Sequence, residues 1–266
     1  VTFVRIGGVP HHVEVTGSGP VCVLSVGLGL GWFDWDPVVP LLAPSRTVVR
    51  FDRPGLGLSG HARVAPTLRG EAERIGAVLD AVGLGGRRVT VAGHSLAGFH
   101  AEAFARLYPW RTAALVLVDS SVEEHPRVRL PRAPRMACTR ACASVLCAAG
   151  VPRATGPLLR RLLAPHPQAR VYGTSRVWRA AVMEYATYGD VATELLALRR
   201  EFSLPADLPV TVLAAHSGGS RRWLARQHRL ATVLEATFLV AEPSGHLVMR
   251  DRPADVAEAI LTTGPR

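Results

Sequence analysis

Residues 88–98 read Arg88-Val-Thr-Val-Ala-Gly-His-Ser-Leu-Ala-Gly98. A short β-branched run ends in a small-residue turn that carries one serine, and a helical pattern follows at once. A serine on so tight a strand-to-helix turn presents its Oγ beyond the sheet edge. There it lies beside the unpaired N–H groups that open a helix. Ser95 is therefore the candidate nucleophile. A hydroxyl of ordinary acidity needs a base, usually histidine, and the base needs a carboxylate to fix its tautomer and stabilise its charge.

Outward from this turn, strand and helix patterns alternate. Upstream lie an opening hairpin (2–6 and 11–15, around Gly7-Gly8), an apolar run at 21–26, a short helix at 34–42 and a strand at 47–51. Apolar residues at 68, 72, 75, 78, 79 and 82 form a helical stripe that Gly83 and Gly85 can close. After the strand at 89–92 come a helix at 97–107 and a buried strand at 113–118. From 121 to 204 the alternation stops, and the recognisable pieces are helical: 136–149, 156–163, 175–187 and 190–202. It resumes with a strand at 209–215, a helix at 221–230, a strand at 237–240 and a last helix at 254–261 behind Pro253. The expected fold class is α/β, an eight-stranded, mostly parallel sheet with a helical insert after the sixth strand. Residues 1–120 and 205–266 form the expected core. Residues 121–204 form an insert at the carboxyl ends of the strands, where a lid would lie.

Composition narrows the partners. The 266 residues are 48% hydrophobic and carry a net charge of +10, as suits a folded globular chain. All 31 basic residues are Arg, scattered except for enrichment between about 127 and 179. No aromatic residues interleave with them, so nucleic acid is not an expected partner. Weak attraction to acidic surfaces or anionic substrates fits better. The four cysteines (22, 138, 142, 147) form no Cys-x-x-Cys pair, and are read as buried free thiols in a reducing cytosol rather than metal ligands. Cys138 and Cys142, four apart, share a helix face. Residues 1–9 lack a charged start followed by an apolar run, and the apolar stretch 141–151 is about half a bilayer span. Stable membrane insertion is not expected, and the cytoplasm is the expected location.

The base candidate is His246, in Phe238-Leu-Val-Ala-Glu-Pro-Ser-Gly-His246-Leu, on a loop after a strand. The other nine histidines lack this setting: His11 and His12 lie in the hairpin, His94 adjoins the nucleophile and His100 sits within a helix. Asp119 ends the strand Ala-Leu-Val-Leu-Val and projects at the same sheet edge as Ser95, making it the candidate acid. Glu242, four residues before His246, is a weaker option. Two glycine-rich runs invite a dinucleotide reading. Gly55-Leu-Gly57-Leu-Ser-Gly60 is preceded by Pro54 and followed by no helical periodicity. Gly27-Leu-Gly29-Leu-Gly31 has the wrong spacing and runs into Trp32-Phe-Asp-Trp35, which reads as a loop.

These blocks together resemble the α/β-hydrolase superfamily over nearly the whole chain. Gly93-His-Ser-Leu-Ala-Gly98 is similar to its nucleophile elbow, and Phe51-Asp-Arg-Pro-Gly-Leu-Gly-Leu-Ser59 to the loop after its fourth strand. Leu115-Val-Leu-Val-Asp-Ser120 and Ser244-Gly-His-Leu247 also look like family blocks. Two departures stand out. Ala97 replaces the last glycine of Gly-x-Ser-x-Gly, and the strand at 209–215 is followed by His216-Ser-Gly-Gly-Ser, with no carboxylate. Some members carry the acid after the sixth strand, and the resemblance then implies Asp119. It also implies an oxyanion hole from the Leu96 N–H and an N–H of the loop after the third strand, assigned to Leu28. The expected activity is a serine hydrolase without cofactor or metal, acting on a small-molecule ester or related acyl compound. Thioester, C–C and acyl-transfer chemistry remain open, as does a non-catalytic binding protein on the same fold.

Overall fold

The computed structural model describes residues 2–61, 64–124, 131–163, 166–219 and 221–265. Among these, eight strands form one sheet: β1 (Thr2–Ile6), β2 (Val9–Thr16), β3 (Val21–Ser25), β4 (Thr47–Phe51), β5 (Val89–His94), β6 (Thr112–Val118), β7 (Val210–Ala215) and β8 (Thr237–Ala241). Their order is β1-β2-β4-β3-β5-β6-β7-β8. β2 runs antiparallel to β1 and β4, and the pairs from β4 to β8 are parallel. The helices are α1 (Val39–Leu42), α2 (Leu68–Ala81), α3 (Leu96–Leu107), α4 (Arg132–Ala148), α5 (Val151–Leu163), α6 (Ser175–Glu201), α7 (Arg221–Val233), α8 (Val248–Asp251) and α9 (Pro253–Thr263).

The central strands are apolar on both faces because both faces are covered. Alternate residues divide between two cores. Val21 and Val23, Val89 and Val91, and Leu115 and Leu117 meet α2, α3, α6 and α7 through Ile75, Phe104, Leu195 and Leu230. Cys22 and Leu24, Ala92, and Val116 and Val118 meet Trp35, Leu42, Met249 and Ile260 on the opposite face. This period-2 division, imposed by the pleat, holds the carboxyl ends of β5, β6 and β8 in register at one edge.

The helices α4, α5 and α6 lie between β6 and β7, where the alternation lapses. The expected helices 175–187 and 190–202 are one continuous helix of 27 residues. Thr174 caps its start by accepting from the Val177 N–H, and the buried Gly189 does not interrupt it. A lone glycine costs a helix about 1 kcal/mol, which the packing of α6 on α2 and α3 outweighs. Residues 32–35, expected as loop, form a 3₁₀ turn. The cysteines depart from expectation too. Cys22 is buried, but Cys138 and Cys142 are exposed on the outer face of α4, their sulfurs 4.0 Å apart. No single helix among the described residues is long and apolar enough to cross a membrane.

Candidate active site

Ser95 sits where β5 turns into α3, with φ 53° and ψ −125°. A non-glycine residue held there costs on the order of 1–3 kcal/mol, so the surroundings must hold it. The Ser95 N–H donates to Val118 O (3.1 Å), and the Ser95 carbonyl accepts from Gly98 and Ser121 (2.9 and 3.0 Å). The turn also demands small neighbours. A Cβ on Gly93 would lie 2.3 Å from the Ala97 carbonyl oxygen, and one on Gly98 2.0 Å from Ser120 Oγ. Ala97 itself is fully buried without displacing the turn. The essential third small residue is therefore Gly98, against β6's exit, and the Ala97 departure is harmless.

The three candidate residues meet. Ser95 Oγ lies 2.9 Å from His246 Nε2, and His246 Nδ1 lies 2.5 Å from Asp119 Oδ2. Asp119 is buried and has φ 41°, a second non-glycine residue in the left-handed region. Its other oxygen, Oδ1, accepts from the Ala215 N–H (3.0 Å) and the Trp223 indole N–H (2.7 Å). Its own N–H donates to Leu213 O at 2.7 Å. Glu242 is directed elsewhere and pairs with His216 at 3.1 Å. The side chain of His246 is 53% exposed, so the inserted helices do not cover it.

Spacing alone did not reveal several supporting residues. His94 is buried beneath His246, and its Nε2–H donates to the His246 carbonyl at 2.7 Å, fixing the loop that carries His246. Burial, and then the neighbouring His246, lower the His94 pKa to about 3, so it serves as a neutral donor. Trp223, on α7, fills the place near the end of β7 where no carboxylate stands. Its only sequence signal is that it is the one Trp of α7.

The loop after β3 lies beside Ser95. A Cβ on Gly27 would lie 3.0 Å from Ser95 Cβ, so the backbone passes directly against the serine. The N–H groups of Leu28 and Leu96 have no acceptor among the described residues. The loop is clamped from behind. Arg53 donates to the carbonyls of Val26 and Gly27 and, through Nε, to Glu184 on α6 at 2.6 Å. Glu184 in turn accepts from the Gly29 N–H at 2.9 Å.

The glycine run 55–60 has a different task. Asp52 accepts from Leu58 N and Trp32 N, both at 2.9 Å, and pairs with His12. Gly57, at φ 44°, leaves room for that carboxylate, since its Cβ would lie 2.1 Å from it. The next helix begins only at Leu68, so the run does not open a helix for a pyrophosphate. Among the described residues, no group of three or more His, Cys, Asp or Glu side chains is placed to hold a metal ion.

A parallel sheet of this order, a serine on a sharp strand-to-helix turn, and a histidine and carboxylate in line with it define the hydrolase class of α/β protein. The model of the Alpha/beta hydrolase family matches residues 22–259, and the chain belongs to that family. It is 31% identical over 113 residues to a protein of Azorhizobium caulinodans named "Putative carbamate hydrolase RutD", a match covering 42% of each chain. It is likewise 31% identical over 122 residues to the 2-hydroxy-6-oxo-2,4-heptadienoate hydrolase of Pseudomonas putida, covering 44% of each. The chain thus spans less than half the length of the curated relatives it matches. Among solved structures, the epoxide hydrolase CorEH superposes with a TM-score of 0.76 at 22% identity, covering 98% of this chain and 97% of that one.

Proposed function

We propose that this chain is a serine hydrolase that cleaves a carboxylic ester or related acyl compound through an acyl-enzyme. The observation that carries the reading is the unbroken hydrogen-bonded line Ser95–His246–Asp119 at the sheet edge. His246 Nε2 takes the Ser95 proton as Oγ attacks the carbonyl carbon, and returns it to the leaving alcohol. Asp119 holds the ring in the required tautomer and stabilises the imidazolium. The N–H groups of Leu28 and Leu96 receive the oxyanion, and water then releases the acyl group. A serine at the elbow does not suit mechanisms that need an aspartate there, such as epoxide opening.

Residues 121–204 act in this reading as a lid that shapes the acyl side of the site. A cavity of about 330 Å³ begins at Leu28 and Leu30 and runs beneath Tyr172, Trp178, Ala181 and Tyr185 of the insert. Its size is that of a small-molecule site and its walls are mainly apolar, so the favoured acyl group is apolar. The test joins a fluorophosphonate probe to a series of p-nitrophenyl esters of increasing acyl length, with an amide and a thioester beside them. The expected result is labelling of the wild type but not of Ser95→Ala, with kcat/KM rising from acetate to longer acyl chains. A wild-type protein that neither labels nor turns over any of these substrates would sink the reading.

A further inference from the structure

A second cavity, of about 270 Å³, lies between α4, α6 and the chain at His61, Val64 and Ala65. Its polar wall consists of Arg140, Arg176, Arg179, His61 and Ser144. No carboxylate lines it. The nearest carboxylates, Asp52 and Glu184, lie outside its lining and are engaged with His12 and Arg53. Arg140 and Arg179 are exposed and have no carboxylate partner among the described residues. Arg176 is partly buried and donates to the carbonyls of Gly55, Leu56, Gly57 and Ser59, with no carboxylate in direct contact among the described residues. Burial lowers the Arg176 pKa and outweighs the opposing pull of the Asp52 carboxylate.

The adjoining cavity makes the contrast plain. It holds about 310 Å³ and shares Val64, Ala65, Ala180 and Met183 with the first as a common wall. There each arginine has its acid: Arg53 pairs with Glu184 at 2.6 Å and Arg74 with Glu71 at 3.1 Å. Of these two cavities, the one lined by Arg140 and Arg179 gathers guanidinium groups with no carboxylate in its lining. Two free guanidinium groups, Arg140 and Arg179, around a concave site, with the charge of Arg176 behind them and a hydroxyl and an imidazole beside them, match a compact dianion with several acceptor oxygens. The apolar wall beside them suits an organic substituent.

We propose that this cavity is a binding site for the phosphate group of an organic phosphate monoester, separate from the Ser95 site. The test is calorimetric titration of the full chain with phenyl phosphate, with phenol and inorganic phosphate as companions. Phenyl phosphate is expected to fill one saturable site, inorganic phosphate to compete for it, and phenol not to bind. Arg140→Gln and Arg179→Gln should each weaken binding by about tenfold or more, the loss of a charge-assisted contact. Both variants should hydrolyse p-nitrophenyl acetate at the wild-type rate, and Ser95→Ala should still bind phenyl phosphate.

Phosphatidylcholine vesicles carrying phosphatidic acid form the second arm. Vesicle capture that the same two arginine substitutions abolish assigns the phosphate to a lipid headgroup. Phenyl phosphate binding without capture assigns it to a soluble ligand. No binding in either arm, or binding indifferent to both substitutions, overturns the proposal.

Discussion

The carboxylate of Asp119 has no idle oxygen: Oδ2 faces His246, while Oδ1 takes the N–H groups of Ala215 and Trp223. Two predictions belong to this residue. Asp119→Asn should keep the fold but lower kcat by roughly 10⁴, because an amide can favour the wrong histidine tautomer. Trp223→Phe removes one donor and keeps the ring. It should lower kcat by about tenfold with little change in KM, the signature of a positioning residue. Ester kinetics on the two single variants and the double variant check both, the double losing no more than Asp119→Asn alone. Ser95, His246 and Asp119 were legible in the sequence because each ends or follows a strand whose apolar run is plain. Trp223 and His94 were not, because their roles arise where separate segments touch, and spacing along the chain carries no trace of that.

At the scale of elements, the turn from β5 into α3 depends on how closely α3 approaches the exit of β6. Gly98→Ala should destabilise the protein by about 1–3 kcal/mol, since the new methyl meets Ser120 2.0 Å from its hydroxyl oxygen. Ala97→Gly, one residue earlier, should cost no more than about 1 kcal/mol, the helix propensity difference. Urea unfolding of the two variants would separate them. Helix α6 links the insert to the loop after β3 through Glu184. Glu184→Gln is expected to lower kcat for esters more than it raises KM, by loosening the Arg53 and Gly29 contacts behind Leu28. A variant with only KM altered would place Glu184 in substrate binding instead. The sequence divided α6 in two at Tyr188-Gly189, because local propensity weighs a glycine before the packing that overrides it is known.

Across the whole molecule, stability should depend on buried histidines at acid pH. His94 and His100 are both buried, and their pKa values are lowered to about 3, chiefly by burial, with His246 and Arg53 respectively as the next causes. Above about pH 6.5 each is neutral in both the folded and unfolded chain. As the pH falls from there towards 3, only the unfolded chain gains the proton, so stability falls. Asp34, raised to about 7 by burial, acts in the opposite sense, holding a proton in the folded state that the unfolded chain releases above about pH 4. Comparison with His100→Phe isolates one histidine. In a stable variant, the slope of unfolding free energy between pH 6 and 4 should be shallower by about 1.4 kcal/mol per pH unit. Equal slopes would mean that His100 titrates in the fold. The sequence alone determined the parallel sheet, the order of its elements and the choice of Ser95, His246 and Asp119 as candidates for nucleophile, base and acid. Those follow from hydrophobic period and from residues at strand ends, which are local properties. Tertiary structure alone decided that Glu242 turns to His216, that Trp223 stands where no carboxylate follows β7, and that α6 clamps the loop after β3. It also gathered scattered arginines around one cavity. These are distances between segments far apart in the chain, and they exist only once the two cores have closed around the sheet.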